Sequence, residues 1–152
     1  MSAVLRSVVL PALLLATACA HAPRSPLAAP VPALRRALAD PDSARRVYSA
    51  GEVARSATLA GRARPVSSRE DGEVRARIVV GVDGKVVPGL LEFLPESDPE
   101  LAERLLAVLP QWRFRPAERV GRVPVRQLVL VTVRSKDRHT SVDLQPAARP
   151  EG

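Results

Sequence analysis

Cysteine, histidine, lysine and aromatic residues are all scarce in this 152-residue chain, and each scarcity excludes something. A single cysteine, Cys19, allows no internal disulfide, so any domain in an oxidising compartment must be held by packing alone. The two histidines, His21 and His139, have no carboxylate or thiol set around them that would make a nucleophile and base, or a metal site. Asp137 stands near His139, but the pair reads as solvated surface. Gly81, Gly84 and Gly89 read as turn and strand-end glycines rather than a phosphate loop. The chain therefore reads as non-enzymatic, with no cofactor and no metal. The aromatic set is Tyr48, Phe93, Trp112 and Phe114, which gives no stacking series for nucleic acid and leaves the core to Val and Leu. Lys85 and Lys136 are the only lysines, so the net charge of +7 comes almost wholly from arginine. These cations form no run and read as a solvated basic surface, with no nucleic-acid partner.

What is present begins with an address. Arg6, the apolar stretch Val8 to Leu15 and the small residues after it have the layout of a secretory signal. The uncharged stretch from Ser7 to Ala20 is short of the ~20 residues that span a bilayer, and Pro11 interrupts it. Leu15-Ala16-Thr17-Ala18-Cys19 resembles a bacterial lipobox, which implies cleavage after residue 18 and a lipidated Cys19. Ala20, standing where the inner-membrane retention signal would place Asp, implies the outer membrane rather than the inner. Pro23, Pro26, Pro30 and Pro32 then mark an extended tether. Leu34 to Ala39 has room for a helical turn or two before Asp40-Pro41. The expected organisation is a signal peptide over 1–18, a lipidated cysteine and tether over 19–40, a loosely structured lead-in over 41–70, a folded domain over 71–135 and a disordered tail over 136–152.

Within that domain Val74, Ala76, Ile78, Val80 and Val82 alternate with Arg75 and Arg77, the period of a half-buried strand. Asp83-Gly84 is the signal of a tight two-residue hairpin turn. Pro88-Gly89 in the return strand suggests an edge or a bulge. Ser97-Asp98-Pro99-Glu100 starts a helix, either with Ser97 as cap and Glu100 completing a capping box, or with Asp98 as cap and Pro99 in the first turn. Leu101, Leu105, Val108 and Leu109 form its apolar stripe, Glu100 and Arg104 are spaced to pair, and Pro110 ends it. Trp112 and Phe114 alternate with Arg113 and Arg115 and should point inward. A strand from Val123 to Val133 closes the pattern, with Val123, Val125, Val129, Val131 and Val133 on one face and Leu128 and Leu130 on the other. Such a strand needs cover on both faces, or a partner. The expected core is Val74, Ile78, Val80, Leu101, Leu105, Val108, Trp112 and Phe114. The expected fold is α+β, a small antiparallel sheet of about three to four strands with one main helix packed on one face.

Asp71-Gly72-Glu73-Val74, the strand to Val82, Asp83-Gly84-Lys85-Val86, the helix, Gln111-Trp112-Arg113-Phe114-Arg115-Pro116-Ala117, Gly121 and the valine-rich strand together resemble the TonB carboxy-terminal domain family. The resemblance implies a module on the periplasmic side of a Gram-negative envelope, associated with transmembrane transport, that grips an extended peptide of an outer-membrane receptor or other envelope protein by strand addition. It places the receptive edge on the valine-rich strand, at Arg122, Val123, Val125, Arg126, Gln127, Val129 and Val131, with the two arginines attracting an acidic segment. A lipid anchor does not transmit force from an inner-membrane motor, so binding rather than energising is the expected role. The alternatives are a structural lipoprotein that self-associates as a homodimer through its sheet edge, and an energy transducer that keeps residues 1–22 as an inner-membrane anchor.

Overall fold

The computed structural model describes residues 31–40, 45–66, 71–137 and 139–149; the signal segment, Cys19, His21 and most of the tether lie outside the described residues. The chain forms helix α1 (Val31–Ala39), strands β1 (Val47–Tyr48), β2 (Thr58–Leu59), β3 (Gly72–Val80) and β4 (Val86–Phe93), helix α2 (Pro99–Val108), then β5 (Phe114–Arg115), β6 (Ala117–Arg119), β7 (Val123–Lys136) and β8 (His139–Pro146). Six strands make one sheet, with β7, β3 and β4 in that spatial order and β1, β6 and β8 all paired to β7. Strands β2 and β5 form a separate two-stranded ribbon. The expected three- to four-stranded antiparallel sheet is therefore too small, and wrong in sense at one pair: β1 runs parallel to β7.

The centre of the sheet is the antiparallel pair β3–β7, in register from Gly72↔Ser135 to Val80↔Gln127. At Val74↔Val133, Ala76↔Val131, Ile78↔Val129 and Val79↔Leu128 the two strands meet through aliphatic side chains, and both faces of β7 are covered. On one face Val74, Ala76, Ile78, Val80, Val129, Val131 and Val133 pack with Leu101, Leu105 and Leu109, and with Trp112 and Phe114. On the other, Leu34 and Leu38 of α1 close over Val79, Leu128 and Val47, with Val87, Leu90 and Leu130 at the margin. The two-faced demand in the sequence of β7 is thus met by two helices rather than one. Leu34 and Leu38 are four apart, the spacing of one helix face, and this α1 stripe lies in the stretch assigned to the tether.

The α2 helix is fixed at its start. Asp98 caps it, its Oδ1 accepting from the Leu101 N–H at 2.8 Å, with Pro99 in the first turn. Ser97 instead bonds both backbone groups of Arg75, its N–H at 3.2 Å and its carbonyl at 3.0 Å. The Asp98 N–H reaches the Glu73 carbonyl at 2.9 Å, so the helix start is tied to the start of β3. Every expected core residue is buried except Val108, which is partly buried at the rim of the same cluster.

The β3–β4 connection is a three-residue loop, Val82-Asp83-Gly84, closed by the Gly81 N–H to Lys85 carbonyl bond at 2.7 Å. Only Gly84 has a positive φ, +71°, and its carbonyl accepts from the Phe114 N–H at 2.8 Å. A β-carbon at Gly84 would sit 2.1 Å from the Phe114 carbonyl oxygen. The Asp-Gly turn and the Trp-Arg-Phe segment are therefore one docked unit. In β4 the register slips between Ile78 and Val80, and Gly89 has φ +78°. This bulge puts both Val86 and Leu91 on the α2 face, although an even number of residues, four, separates them.

Residues 45–66, expected as a loose lead-in, are packed down. Val47 and Tyr48 are buried on β7, and Val66 is buried in the α2-side core. Gln127, also fully buried, accepts from the Ala57 N–H at 2.7 Å through Oε1. The segment showed no period because its pairings are two residues long. The expected disordered tail is overturned as well: β8 pairs with β7 from Lys136↔His139 to Val129↔Pro146.

Two substitutions test these attachments. Gly84→Ala is expected to cost about 2–4 kcal/mol in urea unfolding, because the left-handed backbone and the overlap with Phe114 act together. Gly51→Ala, with open space around it, should cost under about 1 kcal/mol. Gln127→Met keeps the volume but orphans the Ala57 N–H, and about 1–3 kcal/mol of loss is expected. Equal stability of Gly84→Ala and the parent would show that the turn does not dock as described.

Candidate functional site: the margins of the sheet

Strand addition needs a row of unpaired backbone groups, so the question is which sheet margins are open. The margin expected on β7 is not. Arg122 is exposed in the β6–β7 turn with φ +61°, and Val123 and Val125 pair with β6 through Arg119 and Ala117. Arg126 and Gln127 pair with Val47 and Tyr48 of β1. Val129 and Val131 pair with Pro146 and Leu144 of β8 on one side and with Ile78 and Ala76 of β3 on the other. The intervening Leu128 carbonyl accepts from the Ala147 N–H at 3.1 Å. Six of the seven residues do follow one another along β7, but as its centre rather than its rim, and Arg122 stands in the turn before it. The expectation failed because it took β7 as the last strand, and a further strand follows it.

Among the described residues β4, β8 and the two-residue β1 each pair with a strand on one side only, and of these β4 and β8 are long enough to take an extended segment. On β4, Pro88 removes one donor and the bulge bends the strand, devices that blunt an edge. Strand β8 is regular over eight residues. Antiparallel pairing alternates bonded and non-bonded positions. With Lys136 opposite His139 across a two-residue turn, and the Ala147 N–H on Leu128, the odd-numbered residues of β8 direct their N–H and C=O groups at β7. Thr140, Val142 and Leu144 direct theirs away. Among the described residues no strand pairs with that outer side of β8. Val142 and Leu144 extend the α2-side core as partly buried residues, and the Thr140 hydroxyl donates to the Val66 carbonyl at 2.8 Å. His139, Ser141, Asp143 and Gln145 are exposed. The signal for β8 was present in the sequence as Thr140/Val142/Leu144 alternating with polar residues. The turn before it, Lys136-Asp137-Arg138-His139, lacks the Gly or Asn that marks a hairpin; Asp137 takes φ +51° and its N–H bonds Asp71 Oδ1 at 2.9 Å.

Two carboxylates organise the charge around these margins. Glu73 bridges Arg134 at 2.6 Å and Arg75 at 2.5 Å, and both hold its carboxyl below the ordinary value, Arg134 most. Glu52 accepts from the Ser49 N–H at 2.8 Å and the Ser49 hydroxyl at 2.7 Å, and pairs with Arg46 at 2.7 Å. The Ser49 backbone bond is the largest cause, followed by its hydroxyl and Arg46, of a Glu52 pKa lowered to about 2. The Arg46 guanidinium lies 4.9 Å from the centre of the Tyr48 ring, and that of Arg119 lies 5.5 Å from it. Glu52 thus fixes an arginine that in turn seats the buried Tyr48 of β1. Arg126 has no ion-pair partner among the described residues. With Lys85, Val82, Val87 and Pro88 it lines an open depression of about 530 Å³ beside the β3–β4 turn.

Among the described residues no three His, Cys, Asp or Glu side chains converge as metal ligands, and no helix is long and apolar enough to cross a membrane. Comparison with known protein families, characterised proteins and solved structures finds no match to this chain.

Because the folded chain holds Glu52 ionised and the unfolded chain protonates it near 4.5, its contribution is complete above that value and is lost as pH falls towards 2. Stability by urea unfolding should therefore decline from pH 5 to pH 2, and Glu52→Gln should flatten that decline while lowering stability at pH 7. An unchanged acid slope in Glu52→Gln would place the linkage elsewhere.

Proposed function

We propose that this chain is a non-enzymatic binding module, tethered to the periplasmic side of a Gram-negative envelope by an acyl chain on Cys19, that takes an extended segment of another envelope protein by strand addition. The resemblance of residues 71–135 to the TonB carboxy-terminal domain supports the class of partner, a short extended segment of an outer-membrane transport protein. The observation that carries the reading is the outer margin of β8. There the backbone groups of Thr140, Val142 and Leu144 face away from β7, on a strand with no bulge and with partly buried aliphatic side chains on one face. An incoming strand would gain main-chain bonds from those three residues and would lay alternate apolar side chains beside Val142 and Leu144. The acyl tether holds the module near its partner and raises their effective concentration without any new contact.

Backbone exchange distinguishes this from other modes. On addition of a synthetic TonB-box peptide, the amides of Thr140, Val142 and Leu144 should gain protection while those of Ser141 and Asp143 keep theirs. Val142→Pro, which removes an outward donor and no β7 bond, should weaken binding at least tenfold, whereas Val142→Ala should change it about twofold. Loss of protection at Ser141 and Asp143 would mean that the peptide displaces β8, and would overturn addition to its outer side. No protection at any of these amides would overturn the reading as a whole.

A further inference from the structure

One end of the sheet differs from the rest of the surface. Among the described residues the exposed large apolar side chains are Val82, Val120 and Val123, at 50%, 89% and 54% exposure. Val82 is far in sequence from Val120 and Val123, yet antiparallel pairing of β3 with β7, ending at Val80↔Gln127, brings the β3–β4 turn to the same end as the β6–β7 turn. Val120 stands at the tip of a tight turn closed by the Arg122 N–H to Arg119 carbonyl bond at 3.0 Å, with Gly121 at φ +86°. Lys85, Arg122 and Arg126 flank the three valines, and none has an ion-pair partner among the described residues. Two acids stand nearby: Glu118 pairs with Arg55 at 3.4 Å, and Asp83, whose Oδ1 accepts from the Lys85 N–H at 3.1 Å, lines the same depression as Lys85 and Arg126.

We infer that this end is a docking face for an anionic lipid surface. Water-exposed aliphatic side chains at and beside tight turns, flanked by cations without ion-pair partners among the described residues, match the boundary between acyl chains and negative headgroups. The valines lose water contact there while the cations pair with phosphates. The charge decides the occupant: a purely apolar partner would leave three unpaired cations facing it. The opposite end of β7, where β8 turns back, carries Lys136 beside Asp137 and, among the described residues, has no exposed large aliphatic side chain. The module would then rest with its β3–β4 and β6–β7 turns on the membrane and the β8 margin along its side. This inference stands whether or not a peptide adds to β8.

The test uses the full chain carrying Cys19→Ser, so that no acyl chain contributes, and vesicles of phosphatidylcholine with or without an equal share of phosphatidylglycerol. The apolar leader is common to all variants and cancels between them. Cosedimentation should show a preference for the phosphatidylglycerol vesicles that falls about fivefold in Arg122→Gln. It should fall at least as far in Val120→Asp, and less than twofold in Lys136→Gln. Equal losses in Arg122→Gln and Lys136→Gln would show diffuse attraction by the whole charge and overturn the face. Unchanged binding in Val120→Asp and Arg122→Gln would do the same. Both residues are exposed, and matched thermal melting of the variants with the parent separates docking from folding.

Discussion

The pairing of β3 with β7 is the constraint on which the rest of the molecule depends. Nine consecutive register pairs, Gly72↔Ser135 to Val80↔Gln127, join the two strands, and Val74↔Val133, Ala76↔Val131, Ile78↔Val129 and Val79↔Leu128 are aliphatic on both sides. Burying such a pair on both faces requires two layers of cover, and the helices supply them. The α2 helix brings Leu101, Leu105 and Leu109, and the short α1 brings Leu34 and Leu38. Side chains of this kind each contribute on the order of 1.5–3 kcal/mol when fully buried, so the aliphatic layers outweigh any single polar contact here. The surface ion pairs are mostly exposed and add little to that.

A second consequence of the long β7 is that it recruits the rest of the chain as strands. Three segments take successive stretches of it: its hairpin neighbours β6 and β8, and the sequence-distant β1. This is why a strand rich enough in valine to suggest an open, adhesive edge is in fact the interior of the sheet. Its backbone groups are satisfied by the same molecule, and the margin left to solvent passes to β8, which is more polar and carries Asp143 and His139 on its exposed positions. Edges of that composition resist indiscriminate pairing while keeping their backbone groups available. Function, on the proposed reading, sits on the strand least able to aggregate. The lipid-facing end inferred for the two turns leaves that margin free.

Much of the domain between residues 71 and 123 was legible from residue order because its signals are local. The β3 alternation, the Asp98-Pro99 helix start, the α2 stripe and the inward Trp112 and Phe114 each depend on neighbours a few residues away. The hairpin at Asp83-Gly84 was legible as a turn but not as a dock, since its contact with Phe114 spans thirty residues of sequence. The sheet size, the structured 45–66 segment, the docking of α1 and the pairing of β8 were not legible. The first three rest on long-range contacts of short segments, two residues of β1, a buried amide from Ala57 to Gln127 and a four-residue leucine spacing in α1, while β8 follows a hairpin turn with no glycine.

The sequence by itself determined that the chain carries one aliphatic domain behind a proline-rich stretch and an apolar amino-terminal stretch, without an internal disulfide to hold it. It also determined that β7 must be covered on both faces, because periodicity and composition are properties of the residues alone. Only the tertiary structure decided what does the covering, which backbone margins remain unpaired, and that Val82, Val120 and Val123 meet at one end of the sheet. Those outcomes depend on register between strands tens of residues apart. Register is set by the packing of the whole sheet against two helices, which no local stretch of sequence specifies.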